Sequence, residues 1–205
     1  MRAVILCGGE IAAYDRVRNR IAADDLLICA DSGYRHAKAM GLRPAVVLGD
    51  FDSYTRAEVE CDNLLTYPAK KDYTDSEIAV RYALEHGCDK ILLLGATGGR
   101  IDHTLGNLSL LGYILEQGAE GELYDGVSSV WMVRGTITVT GRPGDLLSVV
   151  PFAEADDLTT HGLAYPLRHQ SLAGASTGLS NVFETDCVQL NIGSGKALVV
   201  YTPQE

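Results

Sequence analysis

The sequence predicts an α/β protein: an N-terminal α/β domain with a mostly parallel sheet over residues 1–125, then a C-terminal β-sandwich-like domain over 126–205. Up to about Asp125, short apolar runs alternate with stretches of helical period, the pattern of parallel strands joined by crossover helices. Beyond it, Thr136-Ile137-Thr138-Val139-Thr140 alternates strictly, the period of a half-buried strand. Gly141-Arg142-Pro143-Gly144 is turn chemistry, and no long helical pattern follows.

The first-domain strands are expected at Ala3 to Cys7, Leu26 to Ala30, Ala45 to Leu48, Leu64 to Tyr67, Ile91 to Leu94 and Glu122 to Tyr124. A helix starts near Asp75, where Thr74-Asp75-Ser76-Glu77 has capping-box form ahead of Ile78, Ala79, Tyr82 and Ala83. Another runs from about His103 to Gln117, with Leu108, Leu111 and Leu115 on one face. In the second domain Leu146 to Val150, Leu158 to Ala164, Cys187 to Ile192 and Ala197 to Tyr201 read as antiparallel strands.

Composition narrows the function. With 46% apolar and 21% charged residues the chain can bury a substantial core, and a net charge of -10 repels a polyanion, which argues against broad nucleic-acid binding. The apolar stretch Ala3 to Cys7 is too short for a signal peptide or a membrane span. Five scattered cysteines without C-x-x-C spacing suit small core residues in a reducing compartment, so the cytoplasm is the expected location.

In open α/β sheets ligands collect beyond the carboxyl ends of the strands, and the polar loops fall there. They are Cys7-Gly8-Gly9, Asp31-Ser32-Gly33-Tyr34, Gly49-Asp50-Phe51-Asp52-Ser53 and the run from Gly95 to His103. Asp50 and Asp52 have period-two spacing, so both carboxylates can project the same way, which suits a hard cation such as magnesium held between carboxylates and phosphate oxygens. The same D-x-D also serves as a cap or turn and occurs in metal-dependent glycosyltransferases. Lys70-Lys71-Asp72-Tyr73-Thr74-Asp75 sets cations and carboxylates together at a helix start, where free amides favour phosphate. Lys71 is a candidate phosphate contact, and Asp72 and Asp75 are candidates for the metal shell or the first helical turn. Thr97-Gly98-Gly99-Arg100 offers unobstructed amides and a guanidinium fork, with Asp102 placed to accept the proton of a substrate hydroxyl and His103 beside it.

Taken together, Gly49-Asp50-Phe51-Asp52-Ser53, Lys71-Asp72-x-Thr74-Asp75-x-Glu77, Gly98-Gly99-Arg100-x-Asp102-His103 and Gly178-Leu179-Ser180-Asn181 resemble, in order and spacing, the motif series of the thiamine pyrophosphokinases. The resemblance runs from the Asp31-Ser32-Gly33 loop to Ser180-Asn181. It implies transfer of a diphosphate from ATP to thiamine, magnesium dependence, and a homodimer with sites between subunits. It also implies that Asp50, Asp52 and Asp75 serve magnesium. Asp31, Ser32, Gly33, Asp72, Thr97, Gly98, Gly99 and Arg100 would then lie near the nucleotide, and Lys71, Arg100 and Asp102 would act on the reacting phosphate and hydroxyl. Asp102, His103, Ser180 and Asn181 would face thiamine, which makes the second domain the thiamine-binding and dimerisation domain. One departure is visible: many bacterial relatives carry an acidic residue directly after Ser-Asn, where this chain has Val182 and reaches Glu184 two positions later. Trp131 is expected in the core, with a ring-stacking role as the alternative. A pterin-alcohol pyrophosphokinase, a nucleotide-sugar glycosyltransferase and a non-catalytic nucleotide-binding module remain as other classes.

Overall fold

The computed structural model describes residues 1–50, 59–68, 72–152, 154–172 and 176–204, and the chain divides into two compact units, Met1–Gly126 and Val127–Glu205. In the first unit β1 (Arg2–Leu6), β2 (Leu26–Ala30), β3 (Val46–Gly49), β4 (Asn63–Thr66), β5 (Lys90–Leu94) and β6 (Glu120–Tyr124) form one sheet. Their order is β4-β3-β2-β1-β5-β6, and every pair is parallel. The four helices are α1 (Tyr14–Arg18), α2 (Tyr34–Ala39), α3 (Asp75–Glu85) and α4 (Ile101–Glu116), with a 3-10 turn at Asp31–Gly33.

Central strands of a parallel sheet covered on both faces must be apolar throughout, and Ala3, Val4, Ile5 and Leu6 of β1 are all fully buried. Their neighbours Ile28, Val47, Leu92 and Leu94 are buried as well. β4, at the edge, has exposed Asn63 and Thr66 at its two ends. α3 starts where the sequence requires: Thr74 Oγ1 accepts the Glu77 amide at 3.2 Å, and Ile78, Ala79, Val80 and Ala83 turn inward. α4 begins two residues before the expected His103, because Arg100 already has the extended backbone of an N-cap, and it buries Leu110, Leu111 and Ile114.

The second unit is antiparallel. β7 (Ser129–Thr140) and β8 (Leu146–Val150) flank the second half of β11 (Cys187–Thr202), whereas β7 and β9 (Ala155–His161) flank its first half. A short β10 (Asn181–Val182) pairs with β8. The two expected strands at Cys187 to Ile192 and Ala197 to Tyr201 are halves of β11, joined across a register shift that takes up Gly195 at φ 81°. β9 runs earlier than the expected Leu158 to Ala164 because the chain leaves the ladder at Gly162, φ 88°. Leu147, Leu158, Phe183, Val188, Leu190 and Val199 form the core, and Trp131 packs against it as a partly buried side chain. Asp145 is enclosed and accepts the Tyr201 hydroxyl at 2.7 Å and the Arg142 and Gln204 amides at 2.8 Å. Among the described residues no helix is long and apolar enough to cross a membrane.

Candidate active site

The sheet order fixes where a ligand can sit. β1 is paired with β2 on one side and β5 on the other, so successive crossovers leave β1 in opposite directions and open a crevice beyond its carboxyl end. The loops after β1 and β5 continue the ladder past the sheet: Cys7, Gly9 and Glu10 donate to the carbonyls of Leu94, Gly95 and Thr97 at 2.8, 2.7 and 2.8 Å. Only glycine permits this approach, since a Cβ at Gly9 would collide with the Thr97 and Gly95 carbonyl oxygens. Gly33 meets the same limit against Leu6, which draws the loop after β2 onto β1.

α2 secures the β1 loop from below. Arg35 Nη2 donates to the Gly8 and Gly9 carbonyls, both at 2.8 Å, and His36 Nε2 lies 2.9 Å from the Gly9 oxygen. Tyr14 reaches His36 Nδ1 at 2.8 Å. These partners fix the tautomer: Nε2 carries the proton and donates to the carbonyl, and Nδ1 accepts from the Tyr14 hydroxyl. Burial of the ring lowers the His36 pKa and keeps it neutral. Cys7 contributes no nucleophile, because burial pushes its thiol up to about 11.

The resulting cleft has a volume of about 520 Å³. Asp31, Ser32, Asp75, Gly98, Gly99 and Arg100 all line it, together with His103. Asp31 holds φ 44°, a left-handed conformation that aspartate tolerates better than most residues. Gly98 and Gly99 have φ 81° and 67°, which takes the chain from β5 into α4 with a turn few other residues would adopt. Asp75 is the first residue of α3, so cap and dipole favour its carboxylate there.

Arg100 and Asp102 form an exposed fork, Nη2 to Oδ2 at 2.5 Å and Nε to Oδ1 at 3.1 Å. The Arg100 guanidinium holds the Asp102 carboxyl below the usual carboxylate range, helped by the His103 amide at 3.0 Å. Asp102 therefore stays ionised, which suits it to accept a hydrogen bond more than to remove a proton. It lines an adjoining cleft of about 440 Å³ between α3 and α4, and His103, Thr74 and Asn107 border both clefts.

Asp31, Ser32, Asp75, Gly98, Gly99, Arg100 and His103 thus meet at one place, and Asp102 stands beside it. Gly33 is buried at the end of the 3-10 turn that carries Asp31 and Ser32, and Thr97 contributes its carbonyl to the β1 loop. Asp50 directly follows β3 at the carboxyl edge of the sheet, and Asp72 is exposed ahead of α3. Asp52 and Lys71 lie outside the described residues. Arg35, His36 and Tyr14 were not singled out from the sequence, nor was Asn107, a buried residue whose amide donates to the Ala96 carbonyl at 2.8 Å.

In the second unit, Ser180 is exposed with φ 53°, and its amide donates to Ser148 Oγ at 2.9 Å. Asn181 is buried and its side chain is spent on backbone: Oδ1 accepts the Tyr165 and Val182 amides, both at 3.0 Å, and Nδ2 donates to the Tyr165 carbonyl at 2.6 Å. Asn181 therefore holds the 164–167 loop, which borders a cleft of about 420 Å³ together with Leu179 and Gly178.

The donor set suits a hard cation with few protein ligands. Asp31 and Asp75 are carboxylate residues that line the cleft, and among the described residues no group of three or more His, Cys, Asp or Glu gathers as a self-sufficient metal centre. Magnesium that keeps phosphate oxygens and waters requires only one or two carboxylates, so the residues present fit it.

Fold and site define a doubly wound α/β protein whose ligand cleft, lined by glycines, carboxylates and arginines, lies at the topological switch point of a parallel sheet. Residues 17–121 match the model of the thiamin pyrophosphokinase catalytic domain, and residues 135–196 that of the thiamin pyrophosphokinase vitamin B1 binding domain. The thiamine pyrophosphokinase of Bacillus subtilis is 34% identical over 160 residues, covering 74% of this chain and 75% of the relative. The crystal structure of a thiamine pyrophosphokinase from the same organism superposes with a TM-score of 0.87 over the whole of both chains, at 25% identity. That of a thiamin pyrophosphokinase from Geobacillus thermodenitrificans gives 0.85 at 27% identity, covering 100% of this chain and 99% of the other. The chain belongs to the thiamin pyrophosphokinase family.

Proposed function

We propose that this chain transfers a diphosphate group from Mg-ATP to the hydroxyl of thiamine, giving thiamine diphosphate and AMP. The observation that carries the reading is the convergence of Asp31, Asp75, Gly98, Gly99 and Arg100 on one switch-point cleft in a member of this family. The first unit then serves as the nucleotide- and metal-binding domain, ending near residue 125. The second, from 126, serves as the thiamine-binding and dimerisation domain of a cytoplasmic homodimer.

The hydroxyl oxygen attacks the β-phosphorus, the bond from that phosphorus to the oxygen bridging to the α-phosphate breaks, AMP departs with that oxygen, and the hydroxyl proton is released to solvent. Most of the acceleration comes from positioning and charge stabilisation, as in phosphoryl transfer generally. The Gly98 and Gly99 backbone and the Arg100 guanidinium hold the phosphates, with Lys71 adding positive charge to the reacting end. Asp31, Ser32, Gly33, Asp72 and Thr97 shape the nucleotide end. Asp102 orients the attacking hydroxyl, with His103 beside it. Ser180 contacts thiamine, and Asn181 acts through the loop it holds. Magnesium, held by Asp50, Asp52 and Asp75, neutralises polyphosphate charge when bound.

Incubation with Mg-ATP and thiamine, followed by chromatography, tests the reaction. Equal amounts of AMP and thiamine diphosphate are expected, whereas ADP with thiamine monophosphate would mean a simple kinase. Asp75→Ala should abolish turnover while leaving the far-UV circular dichroism of the folded chain, and retained turnover would remove Asp75 from its role.

A further inference from the structure

Arg35 stands outside every motif that carries the family resemblance, yet it lines the same switch-point cleft as Asp75 and Gly99. Most other arginines with a described contact are paired: Arg2 with Asp25, Arg20 with Glu122, Arg43 with Asp62, Arg81 with Glu77 and Arg100 with Asp102. Arg35 has no ion pair among the described residues, and its neighbours are carbonyl dipoles: Nη2 is used by Gly8 and Gly9, both at 2.8 Å. Nε lies 3.4 Å from His36 Nε2, itself a donor to Gly9, so that contact is not a hydrogen bond. Nη1 makes no hydrogen bond among the described residues. In a chain of net charge -10, a permanently protonated guanidinium with no carboxylate partner among the described residues at a ligand cleft calls for an anion from outside.

We infer that Arg35 is a nucleotide-binding residue: it donates through Nη1 to a phosphate of the bound nucleotide while Nη2 keeps the β1 loop in place. This rests on the reading of the cleft as the nucleotide site. Arg100 already shares its Nε and Nη2 with the Asp102 carboxylate, whereas Arg35 has no carboxylate bond among the described residues.

The test is calorimetric titration of the intact chain with Mg-ATP, without thiamine, for the wild type and Arg35→Gln at two salt concentrations. Glutamine carries no charge and is too short to keep the contacts that Nη2 makes with the Gly8 and Gly9 carbonyls, so the salt dependence separates loss of the charge from loss of loop support. Loss of a charge-assisted phosphate contact should weaken Mg-ATP binding about tenfold. It should also make the fall in affinity with salt shallower, because one fewer ionic contact is screened. An unchanged dissociation constant would overturn the assignment, as would weaker binding with an unchanged salt slope, which would mean that Arg35 acts only on the loop. A wild type that does not bind Mg-ATP would bring down the nucleotide reading and this assignment with it.

Discussion

At the scale of single residues, the cleft depends on a histidine that must stay uncharged. His36 is 2% exposed, and burial holds its pKa below the ordinary imidazole value. The sign follows from proton counting: below about pH 6.5 the unfolded chain takes up a proton that the folded chain refuses, so acidification favours unfolding. The His36 contribution is thus fully present above that value and fades as pH falls towards the lowered folded pKa. Denaturant melts from pH 7.5 to 5.5 should show the loss, and His36→Gln should flatten that part of the profile. Tyr14→Phe, which removes the donor to Nδ1, should cost about 1 kcal/mol in the same melts. That Asp31, Asp75, Gly98, Gly99 and Arg100 are candidates could be read in the sequence, because each sits in a loop or at a helix start whose chemistry is local. Arg35, His36 and Tyr14 could not be so read, since their roles exist only once α2 folds against the β1 loop, and nothing in the local pattern separates Arg35 from an ordinary exposed helical arginine.

Among the elements, α3 ties stability to the site most directly, because its first residue is Asp75 and its cap is Thr74. Thr74→Ala removes the acceptor for the Glu77 amide and should cost about 1 kcal/mol in chemical denaturation. Turnover should fall as well if the first turn frays under Asp75. This element could be read in advance because capping box and apolar period agree, and the parallel strands because fully buried strands are continuously apolar. The second unit was harder. β10 has only two residues and leaves no period to detect, and the strands expected at Cys187 to Ile192 and Ala197 to Tyr201 are one strand, because Ser194 and Gly195 stay paired with β9 where the β7 ladder breaks. A bulge and a hairpin turn use the same residues, and only the pairing partner separates them.

For the whole molecule, the acidic balance sets the terms of polyphosphate binding. In the proposed reaction a chain of net charge -10 repels ATP at long range, so a divalent cation and the local arginines would offset that repulsion. Chelation with EDTA should stop thiamine diphosphate formation, and excess magnesium should restore it, as measured by product chromatography. Activity persisting in chelator would mean that the carboxylates serve structure alone. The division into an α/β part and a β part was legible from the change of hydrophobic period after Asp125.

The bonds that carry the β1 and β5 loops beyond the end of the sheet also bear on the entropy of ligand capture. A loop of consecutive glycines would ordinarily sample many conformations and lose that freedom on binding. Here Gly9 and Glu10 are bonded to carbonyls of the neighbouring loop, and Arg35 and His36 hold the carbonyls of Gly8 and Gly9. Most of the ordering is therefore completed during folding, and binding energy at this wall of the cleft is retained for affinity. The same bonds should make the Gly9 and Glu10 amides exchange with deuterium at rates typical of a buried strand.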